Sequence, residues 1–147
     1  MKSKHASGKP GTPKCVTCHG RYDVTAPSEA MFLGSGPRQC GSCHSGASPE
    51  TKAIQDLYDN IRATALTVDG AETAIQRAAG SALIVAPERV KLAEAKTNLI
   101  TARAAQHSLS LSVVQERTDK GAAKAKEVVA SADKAISDSI FRRQGMV

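Results

Sequence analysis

Bulky side chains are scarce in this chain. Its 147 residues include no Trp and only four Phe or Tyr, whereas ordinary cores draw much of their buried area from aromatics. Ala alone accounts for 24 of the apolar residues. Such a chain must pack thin helices closely or borrow bulk from something that is not protein. Long apolar runs are missing as well. The longest, Ser81-Ala-Leu-Ile-Val-Ala-Pro87, falls far short of the roughly 20 residues of a membrane span, so neither a transmembrane nor a lipid-anchored protein is expected. The opening residues, Met1-Lys-Ser-Lys-His5, are polar and no apolar stretch follows, unlike a signal peptide. Twenty Lys and Arg against 14 Asp and Glu give a net charge of +6. The basic residues are interleaved with acids and form no basic–aromatic cluster, so nucleic acid is not an expected partner.

What is present is unevenly distributed. Residues 1–49 hold all four Cys, three of the four His, five of the six Pro and seven of the eleven Gly. This front part is punctuated too often by Gly and Pro for long helices or strands. It buries too little apolar area to offset chain entropy without a staple. Residues 50–147 read as helix. Ser48-Pro49-Glu50-Thr51 has the form of an N-cap followed by Pro at the first helical position. Ile54, Leu57, Tyr58, Ile61, Ala65, Val68, Ile75 and Ala79 then form one apolar stripe, ending near Gly80. A second helix is predicted from about Pro87, with Val90, Ala93, Ile100, Ala104, His107 and Leu111 facing inward. A third is predicted from about Val113 to Arg143, carrying Val114, Ala122, Ala125, Val129, Ala132, Ile136 and Ile140, with Gly145 as its cap. Ser108–Ser112 reads as the bend between them. The expected fold is all-α: a loop-rich segment, residues 1–49, followed by three long antiparallel helices in residues 50–147.

Two segments share one form, Cys15-Val-Thr-Cys18-His19 and Cys40-Gly-Ser-Cys43-His44. Cys-x-x-Cys-His is the attachment sequence for c-type haem. Residues three and four apart lie on one face of a helical turn, so two thiols can reach two vinyl groups on one porphyrin edge. The imidazole that follows then comes beneath the ring as an axial ligand. The rival is a four-thiolate zinc site built from the two Cys-x-x-Cys pairs; disulfides or a redox dithiol form a third reading. Zinc has no need of the two His. With four His among 147 residues, chance fills both slots only about once in 1,800, which favours haem c, two groups, covalently bound through Cys15, Cys18, Cys40 and Cys43.

With His19 and His44 as proximal ligands, two distal positions remain, and two His remain to fill them: His5 and His107. Chain reach permits either pairing; the short run from His5 to Cys15 favours His5 over the first haem and His107 over the second. Met31 and Met146 are the alternative distal ligands, and Met31 reads better as packing against a haem edge. Lys14, Arg21 and Arg38 flank the attachment sites as candidate propionate partners, although solvated charges are commoner. Two bis-His haems with ionised propionates would bring the charge to about +4 when oxidised.

The run Ser3-Lys-His5, Cys15-Val-Thr-Cys18-His19-Gly20 and Cys40-Gly-Ser-Cys43-His44 resembles the multihaem c-type cytochromes over residues 3–44. The resemblance implies bis-His low-spin haems close enough for electron hopping, in a protein exported to the periplasm or cell surface. Tyr22 stands where family members often carry a His for a further haem, which suits a two-haem unit. A six-coordinate iron has no open position for substrate, so the expected function is electron transfer without enzymatic activity. The expected partners are redox proteins, other haem domains or a second copy. A haem-based sensor and a zinc-bound helical adaptor are the alternatives.

Overall fold

A computed structural model of the chain describes residues 4–24, 28 and 30–145. All of its regular structure is helical, and the described residues contain no strand. Ser3 and Met146, named above as part of the family-like run and as a candidate ligand, lie outside the described residues.

The front region is a string of single turns: a 3-10 turn at Lys4–Ser7, α1 at Cys15–His19, α2 at Ala30–Leu33 and a 3-10 turn at Cys40–Ser42. Three long helices follow, α3 at Pro49–Gly80, α4 at Ala86–Ala105 and α5 at Leu111–Gln144. The start of α3 is where the sequence places it. Ser48 is in extended conformation and its Oγ accepts from the Thr51 amide at 3.1 Å, with Pro49 behind it; this satisfies one of the orphan donors of the first turn. Gly70 does not interrupt α3, which ends at Gly80.

Pairings between helices fix their directions. Lys96 reaches Glu72 at 2.8 Å, while Lys91 pairs with Glu127 at 3.5 Å and Glu94 with Lys124 at 3.9 Å. Numbers rise on one helix as they fall on the other, so α4 is antiparallel to both neighbours. Arg77 meets Asp133 at 2.8 Å and the Thr64 hydroxyl approaches the Thr118 carbonyl at 3.4 Å; numbers rise together, so α3 and α5 run parallel. This is an up-down-up arrangement of three helices.

The core is built largely from Ala and β-branched or Leu side chains: Leu57, Ile61, Val68, Ala71, Ala74 and Ile75 from α3, Leu92, Ala95, Leu99 and Ala102 from α4, and Val114, Ala125, Val128 and Ala132 from α5. Small residues allow close approach where the helices meet. Gly121 is buried, and a Cβ there would lie 3.3 Å from the Ala95 carbonyl oxygen, 3.3 Å from the Thr64 methyl and 3.4 Å from the Asn98 Cβ. The need for bulk is thus reduced by shortening the distance between backbones.

The inward stripe predicted for the second helix is out of phase. Val90 and Ile100 are 62% and 65% exposed, and Ala93 and Ala104 are exposed too. The buried face is Leu92-Ala95-Leu99-Ala102. His107 belongs to neither stripe, because α4 stops at Ala105 and His107 sits exposed in a 3-10 turn, Gln106–Ser108. Leu109, in left-handed conformation at φ 51°, ends that turn. At the chain's other helix ends Ala79 and Ile140 are exposed rather than inward-facing. Gly145 closes α5 in right-handed conformation, its amide donating to Phe141 at 3.0 Å.

Candidate haem-binding site

Each Cys-x-x-Cys-His segment is wound into one turn. Around α1, the Lys14 amide donates to Thr17 Oγ1 at 3.0 Å, and the Gly20 amide closes the far end on the Val16 carbonyl at 3.1 Å. Gly20 has φ +84°, and a Cβ there would lie 3.0 Å from the Asp23 backbone carbonyl oxygen, so any other residue after the first motif would be strained. In the second motif the Cys43 and His44 amides both donate to the Cys40 carbonyl, at 3.2 and 2.9 Å, and the Ser42 hydroxyl holds the Gln39 carbonyl at 2.7 Å. The amide of Gly41 bonds the Gly34 carbonyl at 3.0 Å, an approach that a side chain at Gly41 would block at 2.6 Å.

All four Cys are free thiols; Cys15 and Cys43 are exposed, Cys18 and Cys40 half-buried. Burial pushes the Cys40 thiol up, and the neighbouring Cys18 adds to the effect. The two motifs therefore adjoin through Cys18 and Cys40. Among the described residues, no group of three or more His, Cys, Asp or Glu side chains is arranged to hold a metal ion.

The four His are brought together in two pairs. The rings of His19 and His107 face one another with centres 6.1 Å apart and planes 31° apart. The rings of His5 and His44 lie with centres 6.0 Å apart and planes at 28°. An imidazole centre lies about 1.15 Å behind its ligating nitrogen, and imidazole–metal bonds are about 2.0 Å. Two such rings on opposite sides of one metal ion thus have centres about 6.3 Å apart. Both pairs come close to that spacing, the separation that two imidazoles holding one iron between them would need. The pairing is the reverse of the one favoured from the sequence: His107 faces His19, and His5 faces His44. Proximity along the chain made His5 the natural partner of the first motif. In the structure the rings lie near one another in the other combination, because the turn after α4 brings His107 beside His19 of α1.

His107 Nδ1 lies 3.1 Å from the Ala104 carbonyl oxygen. A carbonyl only accepts, so Nδ1 carries the proton and Nε2 of the neutral ring keeps its lone pair, the orientation that metal-ligating His residues commonly have. A cleft of about 320 Å³ opens beside this ring, between Phe32 of α2, Ile61 of α3 and Arg103 and Ala104 of α4.

Two of the flanking cations, all of them exposed, have partners within the chain. Arg38 forms a two-pronged contact with Asp23, at 3.0 and 2.8 Å, and that guanidinium holds the Asp23 carboxyl below its ordinary value. Arg21 lies over the Tyr22 ring at 5.9 Å. Met31 is half-buried in α2. Arg103 escaped the sequence reading, although it stands four residues before His107, one helical turn away.

Comparison of the chain with protein-family models, with curated proteins and with solved structures finds no match to any of them.

Proposed function

We propose that the chain is a dihaem c-type cytochrome that carries electrons, alone or as a module of a larger multihaem assembly. Cys15 and Cys18 attach one haem c and Cys40 and Cys43 the other. The observation that carries this reading is the double facing of imidazoles at 6.0 and 6.1 Å, in which each pair contains the His of one Cys-x-x-Cys-His motif. The four thiols supply sulfur for thioether links. His19 with His107, and His44 with His5, would hold the irons through ring nitrogens. Haem c, when bound, supplies reversible one-electron exchange at iron.

With both axial positions taken by side chains, no open position is left for a substrate, and a carrier is favoured over an enzyme. The Ala104 carbonyl holds the His107 ring through Nδ1, which would leave Nε2 to ligate the metal. A four-thiolate zinc site is the weaker reading, since zinc would need the four Cys to converge and would leave both His pairs without a purpose. The expected partners are redox proteins, and the compartment in which such haems are attached is the periplasm or cell surface. Among the described residues no helix is long and apolar enough to cross a membrane.

The experiment is expression in a host that matures c-type haem, followed by mass measurement of the denatured chain. Two haem increments with low-spin spectra that ignore carbon monoxide are expected. Zinc without iron would sink the proposal, and carbon monoxide binding to the unaltered protein would turn it into a ligand sensor. His107→Ala should give one high-spin, carbon monoxide-binding haem while the other stays low-spin.

A further inference from the structure

Two apolar stripes run along α4, and the bundle uses one of them. Leu92, Ala95, Leu99 and Ala102 are buried in the core. On the opposite face Val90, Ala93, Thr97, Ile100 and Ala104 are all exposed, Val90 at 62% and Ile100 at 65%. Their steps of three and four residues are those of a heptad repeat, with Val90, Thr97 and Ala104 at the a positions and Ala93 and Ile100 at d. Val and Thr are β-branched, the shape that at a favours two parallel strands. The Thr97 hydroxyl already bonds the Ala93 carbonyl at 2.9 Å, so covering this side chain would strand no donor. The residues beside the stripe carry a charge pattern. Arg89, Lys96 and Arg103 fall at the g positions, whereas Glu94 and Thr101 fall at e. Lys96 is engaged with Glu72 at 2.8 Å. Glu94 reaches Lys124 at 3.9 Å and its side chain is still 55% exposed.

We infer that this stripe is the contact through which two copies of the chain associate, α4 lying parallel to α4 about a two-fold axis. Charge selects both the occupant and its direction. In a parallel pair the g residue of one helix meets the e residue five positions further along the other. Arg89 of each copy then meets Glu94 of its partner, twice by symmetry. In an antiparallel pair g residues meet g residues, so Arg89 would face Lys96, cation against cation. The stripe runs from Val90 to Ala104, about 21 Å at 1.5 Å per residue. That is two heptads, fewer than a long-lived coiled coil uses, so the association is weak and depends on concentration. Direction matters for the imidazoles. Ala104, the last residue of the stripe, lies within one turn of His107 and lines the same cleft. A parallel pair therefore sets both His19–His107 facings at one end of the dimer, and an antiparallel pair would set them at opposite ends. The association itself does not rest on the dihaem reading.

The test is sedimentation equilibrium of the whole chain between about 10 µM and about 1 mM, a range that brackets a weak interface. The mass should climb from one chain towards two as concentration rises. Ile100→Lys and Val90→Lys alter exposed positions and should leave helical circular dichroism as it is. Each should weaken association about tenfold or more, because a charge would be buried in the seam. Arg89→Glu should weaken it about fivefold, and Arg89→Glu combined with Glu94→Arg should recover most of the loss. A single-chain mass at every concentration would overturn the inference and leave the stripe to a helix of another protein. Association that ignores both Lys variants would place the contact on another face and overturn it too. Association strengthened by Arg89→Glu would overturn the parallel arrangement. Covalent haem is weighed separately, so none of these results decides the dihaem reading.

Discussion

Residues 4–48 and 49–144 face the same shortage of bulky side chains and handle it differently. The bundle brings backbones together. Ala71, Ala74, Ala78, Ala95, Ala102 and Ala125 are all 0% exposed, and Gly121 removes even the methyl where the three helices touch. Thin side chains become an asset once helices are long enough to share a seam. The front segment has no such seam. Its turns are short, its Gly and Pro frequent, and its chemistry-bearing side chains are partly or wholly exposed. What it offers instead is four thiols and two imidazoles at two compact turns and a third imidazole at the turn Lys4–Ser7, with a fourth from the turn after α4. One region is packed through its own side chains, whereas the other, on the dihaem proposal, would be organised around a group that protein does not supply.

That contrast can be broken or sharpened. Leu57→Ala, which empties a fully buried position in α3, should cost about 2–5 kcal/mol of bundle stability with or without haem, read from denaturant unfolding followed by helical circular dichroism. If the loss appears only in the holo-protein, the bundle is not independently packed. Gly121→Val should cost about 1–3 kcal/mol, because the Ala95 carbonyl is backbone and cannot give way to the new side chain. An unchanged melt would show that α4 and α5 can part slightly without penalty. Ser48→Ala removes the cap of α3 and should cost about 1 kcal/mol in the same assay, with Ser48→Gly much milder. The smallest effect belongs to the front segment. Asp23 has a lowered pKa in the folded chain through Arg38, so its contribution is present at neutral pH and fades as pH falls through that lowered value. Asp23→Asn should lower the neutral value slightly, to the level the unaltered chain reaches in acid, and so flatten the acid limb of front-segment protection, read by hydrogen exchange around Gly20.

Much of this architecture is legible in the residues. The Ser48-Pro49 boundary is local chemistry, and so is the long stripe of α5, where Val114, Ala125 and Ala132 are buried as their spacing demands. The phase of α4 is not legible, for a physical reason. With Ala on nearly every face, Val90-Ala93-Ile100-Ala104 and Leu92-Ala95-Leu99-Ala102 both look like apolar stripes, and only the neighbouring helices select one. The motif marks His19 and His44 as candidate ligands, and His5 and His107 follow only by count, so their pairing is not legible. No spacing along the chain says that α4 should stop at Ala105, or that the turn beyond it should meet α1; that is a product of helix length and packing.

The facing of His19 and His107 has one more consequence. Iron between them would tie a point near the chain's beginning to one nearly ninety residues later. Cross-links that span loops of that size restrict the unfolded ensemble by on the order of 4–5 kcal/mol in the chain-entropy treatment. The metal would then act as a rivet as well as a relay: a small competing ligand that displaced His107 would loosen the hinge between the first motif and the bundle, coupling axial exchange to the reach of the N-terminal arm.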